Sequence, residues 1–284
     1  MEYFTNFDID LFILNALRED IADGDHTSLS CISETEKGKA QLLVKDNGIL
    51  SGVEIAKRVF HYVDADIKFN QLMNDGDKIK VGDIVFTVEG KAQSILQAER
   101  LSLNFMQRMS GIATKTAYYV GLVSGTETKI LDTRKTTPGM RYFEKLAVTH
   151  GGGVNHRIGL YDMIMIKDNH IDYAGGIESA ITKTNRYLKD KNLNLKIEIE
   201  ARSFNEINEI LSVGNVDRIM IDNFTSADCK KAVELIAGKY ETEASGGITK
   251  KTIRDYAETG VDYISVGALT HQIESLDLSL KAYN

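Results

Sequence analysis

Residues 196–222, KIEIEARSFNEINEILSVGNVDRIMID, decide the fold, because they hold two short strand-like runs with a helical pattern between them. The same strand, loop and helix unit recurs through the second half of the chain. Its strand-like runs are KILDT (129–133), MIMIK (163–167), KIEIE (196–200), RIMID (218–222), ETEAS (241–245) and YISVG (263–267). This regular alternation predicts parallel strands covered by helices, and therefore an α/β fold.

Each of these six runs ends in a polar residue or a glycine. The residues are Asp132, Lys167, Glu200, Asp222, Ser245 and Gly267. In a β/α barrel the carboxyl ends of the strands face the active site, so we expect the six strand ends to form one site. The repeat covers about 155 residues, whereas an eight-fold barrel takes roughly 250. An incomplete or smaller barrel is therefore predicted, with a doubly wound open sheet as the alternative.

The first 125 residues follow a different pattern. Helices are predicted at 8–20 and 53–63, and strands at 40–45, 68–73 and 84–88, with glycine turns between them. This mixture predicts an α+β domain. A helix over 92–109 that is stopped by Gly111, followed by a second helix over 113–123, would join it to the barrel. We place the domains at 1–110 and 111–284, with a carboxyl-terminal tail able to pack back on the first domain.

Composition limits the classes of function. The chain has 284 residues, 43% of them hydrophobic, which is enough to bury a full core. Its net charge of −7 argues against nucleic acids and anionic membrane surfaces as partners. The start of the chain lacks a signal-peptide pattern and no run of about 18 apolar residues occurs, so we expect a cytoplasmic protein. Cys31 and Cys229 predict neither a zinc site nor a disulfide framework.

One segment is strongly cationic against this acidic background. Residues 129–157 surround the only proline with basic side chains, namely Arg134, Lys135, Arg141, Lys145, His150, His156 and Arg157. Such a cluster predicts a site for a small polyanion. Arg141 and Lys145 lie on a helical pattern and are expected to form a solvated face. Lys167, at the end of an apolar strand, is expected to bind an anion, and a Schiff-base role for its amine is the alternative.

The last two strand ends carry glycine loops, SGGI (245–248) and VGAL (266–269). Barrel enzymes commonly bind phosphate through backbone N–H groups after their late strands, so the two loops predict a phosphorylated substrate. Tight turns between strand and helix are the alternative explanation of these glycines.

Two acidic strand ends predict a metal site. Glu200 and Asp222 end neighbouring strands, and Mg²⁺ is usually bound by one or two carboxylates together with substrate phosphates. Capping of the following helices is the alternative role for these carboxylates. Caps formed by Ser203 and Thr225 would leave both carboxylates available to the metal.

Longer motifs carry a family resemblance that covers nearly the whole chain. They are REDI (18–21), AERLSLNFMQRMSGIAT (98–114), DTRKTTPGMR (132–141), GGGVNHRIGLYDMIMIKDNH (151–170) and IDNF (221–224). In these motifs the chain resembles quinolinate phosphoribosyltransferase. The resemblance implies transfer of a phosphoribosyl group from phosphoribosyl pyrophosphate to quinolinate, with loss of CO₂, to give nicotinate mononucleotide for NAD biosynthesis.

The resemblance also implies roles for individual residues. The cations that bind the two carboxylates of quinolinate would be Arg100, Arg134, Lys135, His156, Arg157 and Lys167. Phosphoribosyl pyrophosphate and its Mg²⁺ would be bound by Glu200, Asp222, Ser245, Gly246, Gly247, Gly267 and Ala268. The catalytic residues would be Lys135, Lys167, Glu200 and Asp222, and the metal ligands Glu200 and Asp222. Arg100 is assigned by the resemblance alone, because a lone arginine on a helix otherwise indicates a surface residue.

The architecture implied by the resemblance is an incomplete, seven-stranded β/α barrel with an N-terminal α+β open-faced sandwich domain. The implied working unit is a homodimer in which Arg100 acts across the interface, with assembly into a hexamer left open. Three other functions remain: a related transferase of molybdenum-uptake operons, a Schiff-base lyase that uses Lys167, and a ligand-binding protein without catalysis. The complete cationic set favours quinolinate, and the pair Glu200 and Asp222 argues against silent binding.

Overall fold

The computed structural model describes residues 7–283, so part of the amino-terminal segment examined for a signal peptide lies outside the described residues. In chain order the elements are α1 (Ile9–Ile21), α2 (His26–Cys31), β1 (Lys37–Val44), β2 (Gly48–Ile49), α3 (Val53–Val63), β3 (Lys68–Gln71), β4 (Lys78–Ile79), β5 (Ile84–Lys91), α4 (Ala92–Leu122), β6 (Lys129–Leu131), α5 (Arg141–His150), β7 (Ile164–Ile166), α6 (Asp168–Ala174), α7 (Ile177–Lys191), β8 (Ile197–Ala201), α8 (Phe204–Val213), β9 (Arg218–Asp222), α9 (Ser226–Ile236), β10 (Glu241–Ser245), α10 (Ile253–Ala257), β11 (Tyr263–Ser265), α11 (Ala268–His271) and β12 (Leu278–Ala282). Within the described part of the chain, none of these helices is long and apolar enough to cross a membrane.

The chain forms two compact units. Unit 1 contains the described residues up to Ala117, the segment Thr136–Gly152 and the residues from Ala268 onward. Unit 2 contains Tyr118–Lys135 and Gly153–Gly267. Each unit is therefore assembled from more than one segment of the chain. The domain boundary placed between residues 110 and 111 stays a prediction.

Unit 1 is built on an antiparallel sheet in the order β12-β1-β5-β3. The central strand β1 pairs Val44 with Leu278 of β12 and Ala40 with Val88 of β5. Helix α3 contributes a buried apolar face that includes Phe60, which is fully buried. Five elements predicted from the sequence are present in this unit. The helices predicted at 8–20 and 53–63 are α1 and α3. The strands predicted at 40–45, 68–73 and 84–88 are β1, β3 and β5. The α+β character predicted for the amino-terminal part is confirmed.

Unit 2 is built on a parallel six-stranded sheet in the order β6-β11-β10-β9-β8-β7. All six strand-like runs of the sequence appear in this sheet. The last strand pairs with the first, through Ile264 and Ile130, so the strand order continues around without reversing. A parallel bridge between Leu131 and Val154 adds one further paired residue, Val154, beside β6, in the place of a seventh strand. A doubly wound sheet would reverse its strand order, so the structure is an incomplete barrel with six strands and one bridge.

Helix α4 is longer than predicted. The sequence pattern predicts a helix end at Gly111, but α4 continues without interruption to Leu122. Gly111 lies in the interior of the helix, and a Cβ atom at this position would overlap the carbonyl oxygen of Glu274. The glycine therefore allows the chain at Glu274 to approach the helix closely. A glycine that serves a tertiary contact cannot be distinguished from a helix stop by local pattern alone.

Helix α5 corrects the second local prediction. Lys145, expected on a solvated face, is fully buried in unit 1, as are its neighbours Phe143 and Glu144. Three consecutive buried residues point in different directions around a helix, so α5 is covered on more than one side. Glu144 accepts two hydrogen bonds from Arg108, at 2.5 and 3.1 Å. Arg141 is half-buried and is therefore not on a fully solvated face either.

The close approach at Gly111 predicts a loss of stability in the variant Gly111→Ala. In a helix interior alanine is ordinarily more favourable than glycine by about 1 kcal/mol. Here the methyl group meets the Glu274 carbonyl, and overpacking of this kind typically costs about 1–3 kcal/mol. We expect the free energy of unfolding in urea to fall by up to about 2 kcal/mol, which is the overpacking cost less the helix gain.

The matched control is Gly121→Ala, because Gly121 lies on the same helix and a Cβ there meets nothing within 4 Å. We expect this variant to be more stable than the parent chain by roughly 0.5–1 kcal/mol. Equal stabilisation by both substitutions would show that the contact at Gly111 is not tight.

Candidate active site

The carboxyl ends of the unit 2 strands carry most of the predicted site residues. They are Arg134 and Lys135 after β6, His156 and Arg157 after the bridge at Val154, Lys167 after β7, Glu200 on β8, Asp222 on β9, Ser245, Gly246 and Gly247 at the end of β10, and Gly267 after β11. Because the strands are parallel and adjacent, their carboxyl ends lie at one end of the sheet. The structure thus collects these residues from seven points of the chain at one end of unit 2.

Lys167 and Glu200 form a short ion pair at this end. Lys167 Nζ lies 2.5 Å from Glu200 Oε1, and Glu200 Oε2 accepts a hydrogen bond from the backbone N–H of Asp168 at 3.2 Å. Glu200 is buried, whereas 44% of the Lys167 side chain is exposed. An ammonium group held by a carboxylate suits the binding of an anion better than nucleophilic attack, which requires the free amine.

Asp222 is the second acidic residue at this end. Burial raises the pKa of Asp222 and the negative charge of Glu200 raises it further, although the side-chain amide of Asn223 donates to it at 2.7 Å. A divalent cation would relieve this repulsion between carboxylates, so the two side chains fit Mg²⁺. Ser203 and Thr225 cap α8 and α9 through their hydroxyl oxygens, as predicted.

Two arginines, Arg134 and Arg157, lie in the loops that follow β6 and the Val154 bridge and interact electrostatically. Burial lowers the pKa of Arg157, and the positive charge of Arg134 lowers it further. Arg157 is half-buried and donates to the backbone carbonyl of Met163 at 3.4 Å, whereas Arg134 and Lys135 are exposed. Like charges held near each other favour an anionic partner, and the planar guanidinium group matches a carboxylate.

His156 lies deeper than the other predicted cations. Only 4% of its side chain is exposed, and Nε2 lies 2.8 Å from Glu198 Oε2 and 3.2 Å from Glu243 Oε2. Burial lowers the pKa of His156, but its contacts with the two glutamates outweigh burial and raise the pKa to about 9. The backbone nitrogen of Arg157 lies 2.6 Å from Nδ1. With its pKa at about 9 the ring is an imidazolium at neutral pH, and its positive charge faces the two glutamates.

The loop after β10 combines a tight turn with an open surface. Gly246 and Gly247 have φ angles of +92° and +62°, in the left-handed region that favours glycine. A Cβ atom at Gly246 would overlap the side chain of Asn223, whereas one at Gly247 would meet nothing within 4 Å. The Ser245 carbonyl accepts from the Asn223 N–H at 2.9 Å, which ties the loop to β9. The turn explanation is thus correct for Gly246, and it leaves space at Gly247 for a ligand.

Two predicted site residues belong to unit 1. Arg100 is exposed on α4, and Ala268 begins α11. The roles assigned to them from the resemblance stay predictions.

Sequence reasoning missed three buried charged residues of unit 2, namely Glu198, Arg218 and Glu243. A usable signal was present in the sequence. Side chains two residues apart on a strand share a face, so Glu198 faces the same side as Glu200, and Glu243 the same side as Ser245. The polar end of each run indicates only the outermost residue on that face.

Comparison with known families matches both parts of the chain. The family model described as quinolinate phosphoribosyl transferase, N-terminal domain, matches residues 25–110. The model described as quinolinate phosphoribosyl transferase, C-terminal domain, matches residues 112–281. Together these matches cover most of the chain.

Individual relatives agree with the family models. A Nicotiana tabacum protein named quinolinate phosphoribosyltransferase [decarboxylating] 1b is 44% identical over 97% of this chain and 82% of its own length. A probable nicotinate-nucleotide pyrophosphorylase [carboxylating] of Bacillus subtilis is 42% identical over 92% of this chain and 89% of its own.

A solved structure gives the same result for the fold. The nicotinate-nucleotide pyrophosphorylase of Francisella tularensis superposes with a TM-score of 0.91 at 41% identity, over 97% of this chain and 96% of that one. Sequence motifs, strand order and overall fold therefore agree. The chain belongs to the quinolinate phosphoribosyltransferase family.

Proposed function

We infer that this chain is a decarboxylating phosphoribosyltransferase that makes nicotinate mononucleotide from quinolinate and phosphoribosyl pyrophosphate, releasing pyrophosphate and CO₂. Family membership and the activities named for its relatives support this reaction. The structural observation that carries it is the grouping of Arg134, Arg157 and Lys167 beside the acidic strand ends Glu200 and Asp222. One end of unit 2 therefore carries a cationic part, formed by the basic side chains, and an acidic part, formed by the two carboxylates.

The cationic part suits quinolinate, a pyridine with two adjacent carboxylates. Arg157 and Arg134 carry planar guanidinium groups whose mutual repulsion a dianion would relieve. Lys167 provides a compact ammonium group that is already held by Glu200. We propose that these side chains, with Lys135, bind the two carboxylates and orient the ring nitrogen toward the ribose. The glycines after β10 would bind phosphate oxygens through their backbone N–H groups.

The reaction proceeds in two bond-breaking steps. In the first, the pyridine nitrogen attacks C1 of the ribose while the bond from C1 to pyrophosphate breaks and the sugar carbon gains positive character. In the second, the carboxylate beside the nitrogen leaves as CO₂. The electron pair left on the ring carbon is stabilised by the new pyridinium nitrogen, and a proton then takes the place of CO₂. The protein contributes orientation and preorganised charge to both steps.

We propose Mg²⁺ as the cofactor, with Asp222 and Glu200 as its protein ligands. When bound, it would neutralise the charge that develops on the departing pyrophosphate. Glu200 already contacts Lys167, whereas Asp222 is hydrogen-bonded to the neutral amide of Asn223. Asp222 is therefore the residue whose loss should affect the metal most directly.

We also propose that the working unit is a homodimer. The resemblance assigns Arg100 to the site of a second subunit, and Arg100 is exposed on α4, where another subunit could reach it. A cytoplasmic location stays a prediction, since an Arabidopsis thaliana relative that is 44% identical is named as chloroplastic.

The reaction predicts that pyrophosphate, CO₂ and nicotinate mononucleotide are released in equal amounts from quinolinate. The measurement is an assay of purified protein with Mg²⁺ and phosphoribosyl pyrophosphate, run in parallel with nicotinate in place of quinolinate.

Lys167→Met, which keeps the volume of the side chain, should lower kcat/KM for quinolinate about 100-fold or more, because it removes a fixed cation. Product from nicotinate alone would assign a different transferase activity, and no product from either acid would favour another substrate acid or a binding role.

The metal proposal predicts that chelation abolishes turnover and that added Mg²⁺ restores it. Asp222→Asn should raise the Mg²⁺ concentration needed for half-maximal activity about tenfold or more, because a neutral amide is a weaker ligand than a carboxylate. Asp228→Asn is the control, since Asp228 lies on α9, is half-buried and pairs with Lys231. An unchanged Mg²⁺ requirement in Asp222→Asn would remove Asp222 from the metal site.

The shared site predicts complementation between two inactive variants. Arg100→Ala and Lys167→Met should each have about 1% of the parent activity or less when alone, because each lacks one cation of every site. After dissociation and reassociation of an equal mixture, half of the dimers are mixed and each has one intact site, so activity should return to about a quarter of the parent value. Mixtures that stay inactive, although subunit exchange is demonstrated by mass, would place Arg100 in the site of its own subunit.

A further inference from the structure

One carboxylate closes the loop between Arg157 and β7. Residues 158–162 form this loop, and Asp162 is its last residue. Asp162 Oδ2 accepts a hydrogen bond from the backbone N–H of Ile158 at 2.7 Å, and Oδ1 accepts one from the N–H of Gly159 at 2.8 Å. Both oxygens of the Asp162 side chain are therefore used to join the end of the loop to its beginning.

The tip of this loop gains little from packing. Leu160 and Tyr161 form the tip, and they are 71% and 54% exposed. Apolar side chains that stay in water contribute little to the stability of a loop, because burial is the source of that stability. Hydrogen bonds from backbone N–H groups to an ionised carboxylate are stronger than those to a neutral acceptor. The two bonds to Asp162 are therefore a strong local constraint on the shape of the loop.

The guanidinium group of Arg157 contacts the far end of the same loop. Arg157 Nη1 donates to the backbone carbonyl of Met163 at 3.4 Å, and Met163 directly follows Asp162. The next residue, Ile164, begins β7 and donates to the carbonyl of Lys196 at 2.9 Å, which attaches this point of the chain to the parallel sheet. The position of the Met163 carbonyl, and with it the contact of Arg157, thus depends on how the loop is closed.

The backbone of Arg157 is held on both sides by carboxylates. On the preceding side the N–H of His156 donates to Oδ1 of the buried Asp132 at 2.8 Å. On the following side the N–H of Ile158 donates to Asp162. Burial lowers the pKa of Arg157, and the negative charge of Asp162 opposes this decrease. Asp162 therefore acts on Arg157 through the backbone and through its charge.

We propose that Asp162 is a positioning residue for Arg157. By closing the loop, it fixes both the backbone that carries Arg157 and the Met163 carbonyl that the guanidinium group contacts. The planar guanidinium group must be aligned with a carboxylate to bind it through two parallel hydrogen bonds, so a displaced loop would weaken binding. This inference rests on the proposed function, because it takes a carboxylate of quinolinate as the ligand of Arg157. Asp162 itself does not touch the substrate.

The test is the substitution Asp162→Ala, which removes both acceptors, with Asp162→Asn as a second variant that keeps the shape and one acceptor oxygen. If Asp162 positions Arg157, Asp162→Ala should raise KM for quinolinate about tenfold or more and change KM for phosphoribosyl pyrophosphate less than about twofold. Asp162→Asn should give an intermediate rise. An unchanged quinolinate KM in both variants, or an equal rise of both KM values, would overturn the positioning role.

The matched control is Asp262→Ala. Asp262 Oδ2 also accepts two hydrogen bonds, from the N–H and the hydroxyl group of Thr242, both at 2.7 Å. Asp262 directly precedes β11, so it lies at the amino end of the strands and not at the end that carries the candidate site. Its substitution should leave both KM values unchanged. A rise in the quinolinate KM of this control equal to that of Asp162→Ala would assign the effect to general loosening of unit 2 and overturn the proposal.

A double-mutant cycle tests whether the effect passes through Arg157. In the background Arg157→Ala, the further change Asp162→Ala should lower kcat/KM for quinolinate less than about twofold, because the residue that it positions is already gone. Two effects that multiply in full would overturn the route through Arg157. Absence of quinolinate turnover in the parent chain would overturn the proposed function, and with it this inference. Turnover in the parent chain with an unchanged quinolinate KM in the Asp162 variants would overturn the positioning role alone.

Discussion

The pairing of β11 with β6 is the constraint on which the rest of unit 2 depends. It joins the last strand of the parallel sheet to the first, so that the loop carrying Arg134 and the glycines after β10 and β11 belong to one sheet end. Without this pairing β6 and the loop that follows it would not belong to the sheet formed by β7–β11. The pairing brings residues spread over more than a hundred positions of the chain to one end of the sheet, where the proposed contacts with substrate lie.

Charge compensation is the second organising feature. The carboxyl end of the parallel sheet carries both positive and negative side chains. Lys167 is paired with Glu200. Asp222 interacts with the like charge of Glu200, and Arg157 with the like charge of Arg134. These like-charge neighbours indicate where ligands of opposite sign would be stabilised. Below them His156 and Arg218 lie against the buried carboxylates of Glu198 and Glu243. The charges of the barrel thus lie at two depths.

The sequence predicted some features well because they depend on local spacing. Six strands, the caps at Ser203 and Thr225, and helices α1 and α3 follow from short patterns of side chains. The predictions at Gly111 and Lys145 were wrong because tertiary contacts decided the outcome. At Gly111 the segment at Glu274 packs against the helix. At Lys145 the helix α5 is covered on more than one side. Neither contact leaves a trace in the neighbouring residues.

The sequence by itself determined the α/β class, the family and the end of the barrel at which the candidate site lies. Periodicity, motifs and strand direction are properties of short segments, and they can be recognised without the tertiary structure. Only the tertiary structure decided how deep each charge lies. His156 and Arg157 are adjacent in sequence and both basic, yet one faces two buried glutamates and the other a neighbouring arginine. The strands β8 and β10 that supply those glutamates are far from His156 along the chain, and only the folding of the sheet into a partial barrel brings them to it.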